Sequence, residues 1–406
     1  MDQGNTAFVL ISAALVLLMT PGLAFFYGGM VKAKSVVSMM MLSFGSLGLI
    51  AVLWVLYGYA ISFSNGGTDT FVGIDGWFGI DTSFLGLSAQ VADAADPAGA
   101  FPTMAFVAFQ ATFAIITVAL ISGAIADRAK FGAWMVFAGL WATIVYFPVA
   151  NWVFNFTLTD GKVTDGGWIV YGLGVIDFAG GTAVHINAGA AGLALAIVLG
   201  KRFGFSKGIT QPHNVPLTLL GVALLWFGWF GFNAGSELAA DGIASIAFIN
   251  TLAAPAAAML GWIIIEKIKH GKATSIGAGS GAVAGLVAIT PACASLDPIW
   301  ALLLGLIAGA LCALAIDLKF TLGFDDSLDV VGIHLVGGIV GTLWIGLFGN
   351  GVGAVFGNGF HQLAMQALGA GAVLVYSFVL ALIIGFAVEK TIGFRVKAED
   401  EIAGID

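Results

Sequence analysis

Two histidines are notable because each follows an acidic residue within a glycine-rich, apolar stretch. The strings are D-F-A-G-G-T-A-V-H at 177–185 and D-V-V-G-I-H at 329–334. A neutral imidazole has one proton donor and one acceptor, so two adjacent imidazoles can pass a proton between them. His185 and His334 are therefore candidates for a shared relay site. The alternative is two unrelated histidines, each bonded to nearby helix groups.

The composition of the chain excludes several classes of protein. Hydrophobic residues make up 59% of the 406 residues and charged residues only 9%, whereas soluble proteins carry about 25% charged residues. Too little polar material remains to cover a water-exposed surface, so a soluble enzyme, a nucleic-acid binder and a disordered chain are all excluded. The two cysteines, Cys293 and Cys312, form no disulfide framework. We expect no cofactor, no bound metal and no enzymatic activity.

Apolar segments long enough to cross a bilayer recur along the whole chain. A bilayer core needs roughly 20 apolar residues per helix. The segments are continuous apolar runs, whereas β-barrel strands would alternate. We therefore predict an all-α polytopic membrane protein with eleven transmembrane helices, at about 6–27, 37–63, 102–126, 132–154, 176–199, 215–235, 243–268, 274–291, 299–320, 330–348 and 365–388.

The basic residues predict how these segments are oriented. Fourteen of the 15 Lys and Arg residues fall on one side, in the alternate loops 28–36, 127–131, 200–214, 269–273 and 321–329, in adjoining helix ends and in the tail. The opposite side carries only Lys162. Because basic loops stay in the cytoplasm, the N-terminus is predicted outside and the C-terminus inside. Residues 1–388 then form a transmembrane domain and residues 389–406 a cytoplasmic tail.

The two histidine strings indicate an internal repeat. They lie in segments five and ten, which run in opposite directions in the predicted topology. Five spans followed by five spans of opposite orientation form an inverted repeat, with segment eleven as an addition. Such a repeat brings His185 and His334 towards each other near the middle of the bilayer, where ionisable residues are costly and usually functional.

Aromatic residues follow the path from the outer surface towards His185. Phe109 and Phe113 share one face of segment three, because they are four residues apart. Trp229, Phe232 and Ser236 follow one another at spacings of three and four near the outer end of segment six. A hydroxyl and π-faces at one depth would hold a small hydrogen-bonding cation. The alternative is that these rings only pack or face lipid.

Two further residues belong to this outer region. Segment four ends with Phe154, and either this residue or Trp152 completes the aromatic layer. Asp177 stands at the start of segment five, where it can cap the helix or bind a cation directly. We expect the structural role, because a carboxylate exposed in a pore would hold a cation too firmly to release it.

Five strings together resemble the ammonium transporter (Amt/Mep/Rh) family, on its bacterial Amt side, and the resemblance runs from about residue 6 to residue 397. Two of them are the histidine strings, the first of which extends to residue 189. The other three are P-G-L-A-F-F-Y-G-G at 21–29, A-F-Q-A-T-F at 108–113 and G-W-F-G-F-N-A-G-S at 228–236.

The resemblance implies a homotrimer of eleven-helix protomers, each with its own pore, in the cytoplasmic membrane. It implies an outer ammonium site at Phe109 and Ser236, a gate formed by Phe113 and Phe232, and a pore lined by His185, His334 and Trp229. Asp177 is then the structural acid. The family has a tryptophan after a valine late in segment four, where this chain has Val153 and Phe154. Phe154 is expected to replace it, and Trp168 is a more distant candidate.

Family resemblance also implies regulation and an alternative function. A PII-type signal protein is expected to dock on the cytoplasmic face, on the loop after segment nine and the tail, where Asp325, Asp326 and Arg395 lie. The alternative to transport is an ammonium sensor that signals to a cytoplasmic domain. A urea or water channel would carry paired N-P-A motifs and a potassium channel T-V-G-Y-G, and the sequence contains neither.

Overall fold

The computed structural model describes residues 1–66, 69–95, 100–159, 162–205 and 212–406. Within these ranges, ten helices are long and apolar enough to cross a membrane, and Ser275–Ile289 is a shorter apolar helix. The basic residue Lys207 lies outside the described residues. In chain order the helices are α1 Gln3–Met30, α2 Ala33–Phe63, α3 Thr103–Ile125, α4 Phe131–Phe154, α5 Gly181–Leu199, α6 Val215–Glu237, α7 Gly242–His270, α8 Ser275–Ile289, α9 Pro298–Leu322, α10 Val331–Phe348 and α11 His361–Thr391.

Helix α8 is the shortest of the predicted spans. It has 15 residues, which span about 22 Å, less than the roughly 30 Å of a bilayer core. Nearly all of its side chains are buried among the other helices, so packing rather than lipid surrounds it. Ten spans of the predicted eleven are present, and α8 as the eleventh remains a prediction.

The helices of the two halves pack in the same pattern. In the first half, α1 contacts α3, α2 contacts α4 and α3 contacts α5. In the second half, α6 contacts α8, α7 contacts α9 and α8 contacts α10. Helices α1 and α6 also pack along each other, and α11 packs on α5 and α10. These matched neighbours are what an internal repeat produces, and they place α5 and α10 side by side.

Small residues allow some of these helices to approach closely. At Gly305 and Gly309 on α9, an added Cβ atom would lie 2.0 Å from the carbonyl oxygens of Ala254 and Ala258 on α7. Only glycine fits at such distances, as at many interfaces between membrane helices. The abundance of glycine in the composition is therefore explained in part by backbone contact between helices.

Two short hairpins lie at the face where α1 and α3 begin, which we call the hairpin face. Strands β1 (Phe71–Ile74) and β2 (Phe78–Asp81) form one antiparallel pair, and β3 (Phe156–Thr159) and β4 (Lys162–Gly166) form the other. The two pairs are joined where the Trp168 amide donates to the Gly76 carbonyl, 3.0 Å.

The opposite face, which we call the tail face, contains loops 31–35, 126–130, 200–205 and 323–330 and the tail. Arg128 is fully buried there and donates to Ser327 and to two carbonyl oxygens. Burial lowers the pKa of Arg128 to about 10, against the opposing effect of Asp325. Arg202 holds Asp325 through its guanidinium group at 2.8 Å. Burial alone would raise the pKa of Asp325, but the hydrogen bonds and charge of Arg202 outweigh it and hold this pKa below its ordinary value.

The tail is attached to this face by carboxylates. It contains a short helix, α12 (Ala398–Ala403), whose Glu401 accepts from the Phe203 amide and from Arg395 at 2.7 Å. The Asp406 carboxylate accepts from the amides of Val37 and Ser38. Arg395 also donates to carbonyl oxygens of residues 199 and 201. The Val396 amide donates to the Arg128 carbonyl, so the tail contacts loop 126–130 as well as the start of α2 and loop 200–205.

The residues predicted to form a docking surface on this face are wrong. Asp325 and Asp326 are 0% and 1% exposed, so neither can form part of a docking surface. Arg202 binds Asp325, and Asp326 accepts from the amide of Val331. Arg395 is likewise engaged within the chain. Charged residues in this loop serve internal bonding because a buried charge is stable only when it is paired.

Candidate functional site

The two histidines meet in the middle of the helix bundle. His185 and His334 are 1% and 2% exposed, and their Nδ1 atoms lie 3.3 Å apart. Their ring centroids are 5.3 Å apart with planes 23° from parallel. At this distance one Nδ1 must donate and the other must accept, so the two rings hold opposite tautomers.

Both histidines lie on an unusual first turn. Helix α5 begins with a π-helical turn at Gly181–Ile186, and α10 begins with one at Val331–Leu335. Such turns are rare and cluster at functional sites. Between the two helices, a Cβ atom on Gly189 would lie 2.5 Å from the Leu335 nitrogen. The crossing of α5 and α10 therefore requires glycine, and it is this close crossing that lets the rings touch.

Aromatic rings form a column from the histidines towards the hairpin face. The His185 and Phe232 rings lie 6.0 Å apart, and Phe232 stacks on Phe113 at 4.2 Å with planes 26° from parallel. Phe109 follows, 4.8 Å from Phe113. Phe113 and Phe232 are thus in face-to-face contact between Phe109 and His185.

Trp229 and an apolar cavity lie beside the histidines. The Trp229 ring stacks near His185 at 5.5 Å, and its Nε1 donates to Thr290 at 2.9 Å. The cavity touches both histidines and holds about 10 Å³, the lower limit for one water-sized molecule. Its other lining side chains are apolar, among them Leu, Ile and Val residues. An uncharged molecule the size of water fits this lining, whereas a bare ion would lose its hydration there.

Phe154, rather than Trp152, faces the ring column. The Phe154 ring lies edge-on to Phe113 at 6.1 Å. Trp152 instead donates to the Trp77 carbonyl and packs against Trp168, 5.5 Å away. The two residues are two positions apart on α4, so they point about 200° away from each other. The structure thus places Phe154 beside the column and both tryptophans outside it.

Ser236 and Phe109 lie together at the end of the column nearest the hairpin face. A Cβ atom on Gly235, beside Ser236, would lie 3.1 Å from the Phe109 ring. The Ser236 hydroxyl donates to the Phe232 carbonyl at 2.8 Å, which leaves its oxygen free to accept a hydrogen bond. The Ser236 hydroxyl therefore provides a hydrogen-bond acceptor close to the Phe109 ring.

Asp177 accepts five hydrogen bonds at the start of α5. Its carboxylate accepts from the amides of Gly180, Gly181, Thr182 and Ala183 and from the Thr182 hydroxyl. The amide distances run from 2.5 to 3.2 Å. Helix starts leave such amides unsatisfied, so this is the geometry of a cap. A carboxylate with this many donors has little capacity left for a cation.

Two hydroxyl residues of this region, Thr182 and Thr290, were not predicted from the sequence. Thr182 lies inside the string 177–185, five residues after the acid, and nothing in that string indicated that its side chain turns back to Asp177. Thr290 is separated from Trp229 by 61 residues, and no local pattern links them.

Comparison with known proteins decides the family. Residues 7–406 match the model of the Ammonium Transporter Family. The chain belongs to the ammonium transporter family. An ammonium transporter of Mycobacterium bovis is 57% identical over 425 aligned residues, which cover all of this chain and 88% of the relative. An ammonium transporter of Bacillus subtilis is 44% identical, with coverage of 100% and 97%.

Solved structures agree with this family assignment. Mep2 of Saccharomyces cerevisiae is 32% identical with a TM-score of 0.86, over 98% of this chain and 88% of that one. A protein described as a sensor Amt protein is 29% identical with a TM-score of 0.88, over 99% and 97%. The ammonium transporter fold therefore occurs in a sensor too. The more similar relatives are named transporters, which supports ammonium transport by a multi-pass membrane protein and implies that the chain is not an enzyme.

We predict that Asp177→Ala lowers the free energy of unfolding by about 1–3 kcal/mol, because a helix cap with five hydrogen bonds is lost. Asp177→Asn keeps one of the two acceptor oxygens and should therefore retain more stability than Asp177→Ala. Thermal unfolding in detergent and ammonium uptake by proteoliposomes measure the two effects. Asp2→Ala is the matched control, since Asp2 caps α1 at an exposed position. A fully stable and fully active Asp177→Ala variant would contradict the assigned role.

Proposed function

We propose that this ammonium transporter recruits ammonium at the hairpin face, removes a proton and passes ammonia through an apolar path lined by His185 and His334. The observation that carries the proposal is the contact between the two Nδ1 atoms, 3.3 Å apart in a buried setting. Two rings that share a proton beside an apolar cavity suit a substrate that can give up a proton. They do not suit a metal cation.

The physical problem for this transporter is discrimination between ammonium and potassium. The two ions have the same charge and similar size, but only ammonium donates directional hydrogen bonds and can become neutral. Moving a bare ion into an apolar cavity is opposed by the loss of its hydration, whereas a neutral molecule meets a far smaller cost. An obligatory loss of the proton above the histidines therefore excludes potassium.

The tautomers of the histidine pair provide a route for the proton. One ring donates from Nδ1, so its Nε2 atom is an acceptor. The other ring accepts at Nδ1, so its Nε2 atom is a donor. A proton that arrives at the accepting Nε2 can move on through the shared Nδ1 contact and leave from the donating Nε2. The pair then holds reversed tautomers and must reset before the next proton.

The recruitment site is proposed at Phe109, Phe154 and Ser236, with Phe113 and Phe232 as a gate below it. Ring faces attract a cation with about 0.5–2 kcal/mol each, and the Ser236 oxygen accepts one N–H. Trp229 lines the path beside His185. Asp177 is proposed as the structural acid that stabilises the start of α5, since its carboxylate is occupied by the amides and hydroxyl described above.

Topology and assembly complete the proposal. The hairpin face is proposed to face outwards and the tail face to face the cytoplasm, with α8 as the eleventh span of a 5+5 inverted repeat plus α11. Support comes from the basic loops gathered at the tail face and from the matched packing of the two halves. We further propose a homotrimer in the cytoplasmic membrane, with residues 1–388 as the membrane domain and 389–406 as the cytoplasmic tail.

A PII-type signal protein is proposed to dock on the tail face. Support comes from family membership and from exposed charges on the tail, such as Lys397 and Glu399, which are 78% and 77% exposed. We expect purified protein to capture PII from an extract of cells shifted abruptly to high ammonium, and Lys397→Glu to weaken that capture. Recovery of PII that is equal with and without the transporter on the resin would remove this proposal.

We predict that Phe154→Ala and Ser236→Ala raise the half-saturating ammonium concentration. A lost cation–π contact of up to 2 kcal/mol corresponds to a rise of up to about thirtyfold. Trp152→Ala is the matched control on the same helix, because its ring points away from the column. Transport by proteoliposomes over a range of ammonium concentrations gives the three values. If Trp152→Ala shifts the value and Phe154→Ala does not, the recruitment site is misplaced.

We predict that His185→Ala and His334→Ala each sharply reduce ammonium-driven transport without loss of folded protein. The double variant should be little worse than either single one, because a relay interrupted once is already interrupted. If water enters the space left by a ring, discrimination against potassium should also fall. His270→Ala, at an exposed position on the tail face, is the control. Additive losses of folded protein with normal transport per folded molecule would show that the histidines only pack.

A further inference from the structure

Asp326 occupies at the start of α10 the place that Asp177 occupies at the start of α5. Each carboxylate belongs to a residue eight positions before its histidine: 177 before 185, and 326 before 334. The two strings in the sequence suggest a different pairing, of Asp177 with Asp329, because D-V-V-G-I-H resembles the end of the first string. The register of the backbone decides between the two pairings.

Backbone geometry supports the pairing of Asp177 with Asp326. The third residue after each acid is left-handed: Gly180 has φ +114° and Asp329 has φ +63°. Outside glycine, aspartate is among the few residues that adopt this conformation readily. The π-helical turns follow at 181–186 and 331–335, and each ends nine residues after its acid.

The hydrogen bonds of the two carboxylates also correspond. Thr182 and Val331 are each five residues after their acid, and their amides donate to Asp177 at 2.8 Å and to Asp326 at 2.7 Å. Each acid thus holds the amide in the turn that carries its histidine. Because the same contact occurs at both helix starts, it indicates that the two carboxylates have the same role.

Burial of the Asp326 carboxylate costs more free energy than burial of the Asp177 carboxylate. Asp326 is 1% exposed, and its Oδ1 atom has no hydrogen-bond partner among the described residues. Burial, followed by the charge of Asp329, raises the pKa of Asp326 to about 6. Lys319 offsets part of this charge, but its ammonium group bonds to the carbonyl oxygen of Asp326 and the side chain of Asp329. A less polar residue would remove this cost, so a role for the carboxylate is needed.

We infer that Asp326 is a positioning residue for His334, which holds the first turn of α10 in the form that directs the His334 ring onto His185. This inference rests on the proposed relay function of the histidine pair. A π turn contains one more residue than an α turn, so its relaxation to an α turn would rotate the following side chains by about 100°. The Nδ1 contact at 3.3 Å would not survive such a rotation.

The test compares Asp326→Leu with Asp326→Asn in proteoliposomes, with ammonium transport normalised to folded protein. Asparagine keeps an acceptor oxygen and caps helices about as well as aspartate, so Asp326→Asn should transport near the wild-type rate. Leucine has a similar size and no acceptor. Asp326→Leu should lower the rate between about tenfold and a hundredfold, as expected of a misplaced reacting group. If Asp326→Leu yields no folded protein, Asp326→Ala takes its place.

A double variant separates positioning from general stability. In a His334→Ala background, Asp326→Leu should lower transport no further, because the ring it positions is already absent. Asp325→Asn is the matched control at the neighbouring buried acid, whose carboxylate accepts from Arg202. It is expected to reduce the yield of folded protein but not the rate per folded molecule.

The outcomes distinguish the inference from the proposed function. If His334→Ala transports normally, the relay is wrong and the inference falls with it. If His334→Ala is impaired but Asp326→Leu transports normally per folded molecule, only the inference is wrong. An Asp326→Asn variant as slow as Asp326→Leu, or a further loss in the His334→Ala background, would equally overturn it.

Discussion

The contact between two buried imidazoles is the interaction around which the crossing of α5 and α10 is arranged. A buried polar group without a partner costs several kcal/mol in an apolar interior, and the Nδ1 atoms of His185 and His334 satisfy each other. For that to happen, α5 and α10 must cross almost backbone to backbone. Glycine at position 189 permits the crossing, and the π-helical turns aim the two rings at each other.

A second constraint is that the proposed path beside this contact must oppose ions. The Phe113 and Phe232 rings stack on one side of His185, and the cavity beside the histidines is lined mainly by apolar side chains. The charged residues of the chain are placed elsewhere: Asp177 is occupied at a helix start, and Arg128, Arg202 and Asp325 neutralise one another at the tail face. Selectivity in this account comes from the low polarity of the path rather than from a charged binding site.

The sequence predicted much of this arrangement because membrane segments obey simple rules. The lengths of the apolar runs predicted eleven helices, ten of which are long and apolar enough to cross a membrane. The spacing of Phe109 and Phe113, and of Trp229, Phe232 and Ser236, predicted that these residues follow one path. The family resemblance was confirmed. Three features could not be predicted from local patterns in the sequence. The length of α8 depends on burial by its neighbours, π turns depend on tertiary packing, and the direction of Trp152 depends on a carbonyl group in a distant hairpin.

The role of Asp326 shows how a repeat can be misaligned from sequence alone. D-V-V-G-I-H begins with Asp329, and the pattern of the string pairs this acid with Asp177. Asp326 stands three positions earlier, at the same distance of eight residues from its histidine as Asp177. The distance was visible in the sequence, but glycine and aspartate share the left-handed position in the two halves, which only the backbone angles reveal.

The most direct test of the central claim uses the unmodified protein in proteoliposomes, with protein-free liposomes to correct for ammonia that crosses lipid. Equal gradients of ammonium and potassium are applied while current and luminal pH are recorded together. The account predicts a protein-dependent response to ammonium, seen as luminal alkalinisation if ammonia crosses alone or as current if the proton follows, and no response to potassium. A protein-dependent potassium current comparable to the ammonium response would contradict the claim that the substrate must lose a proton to pass.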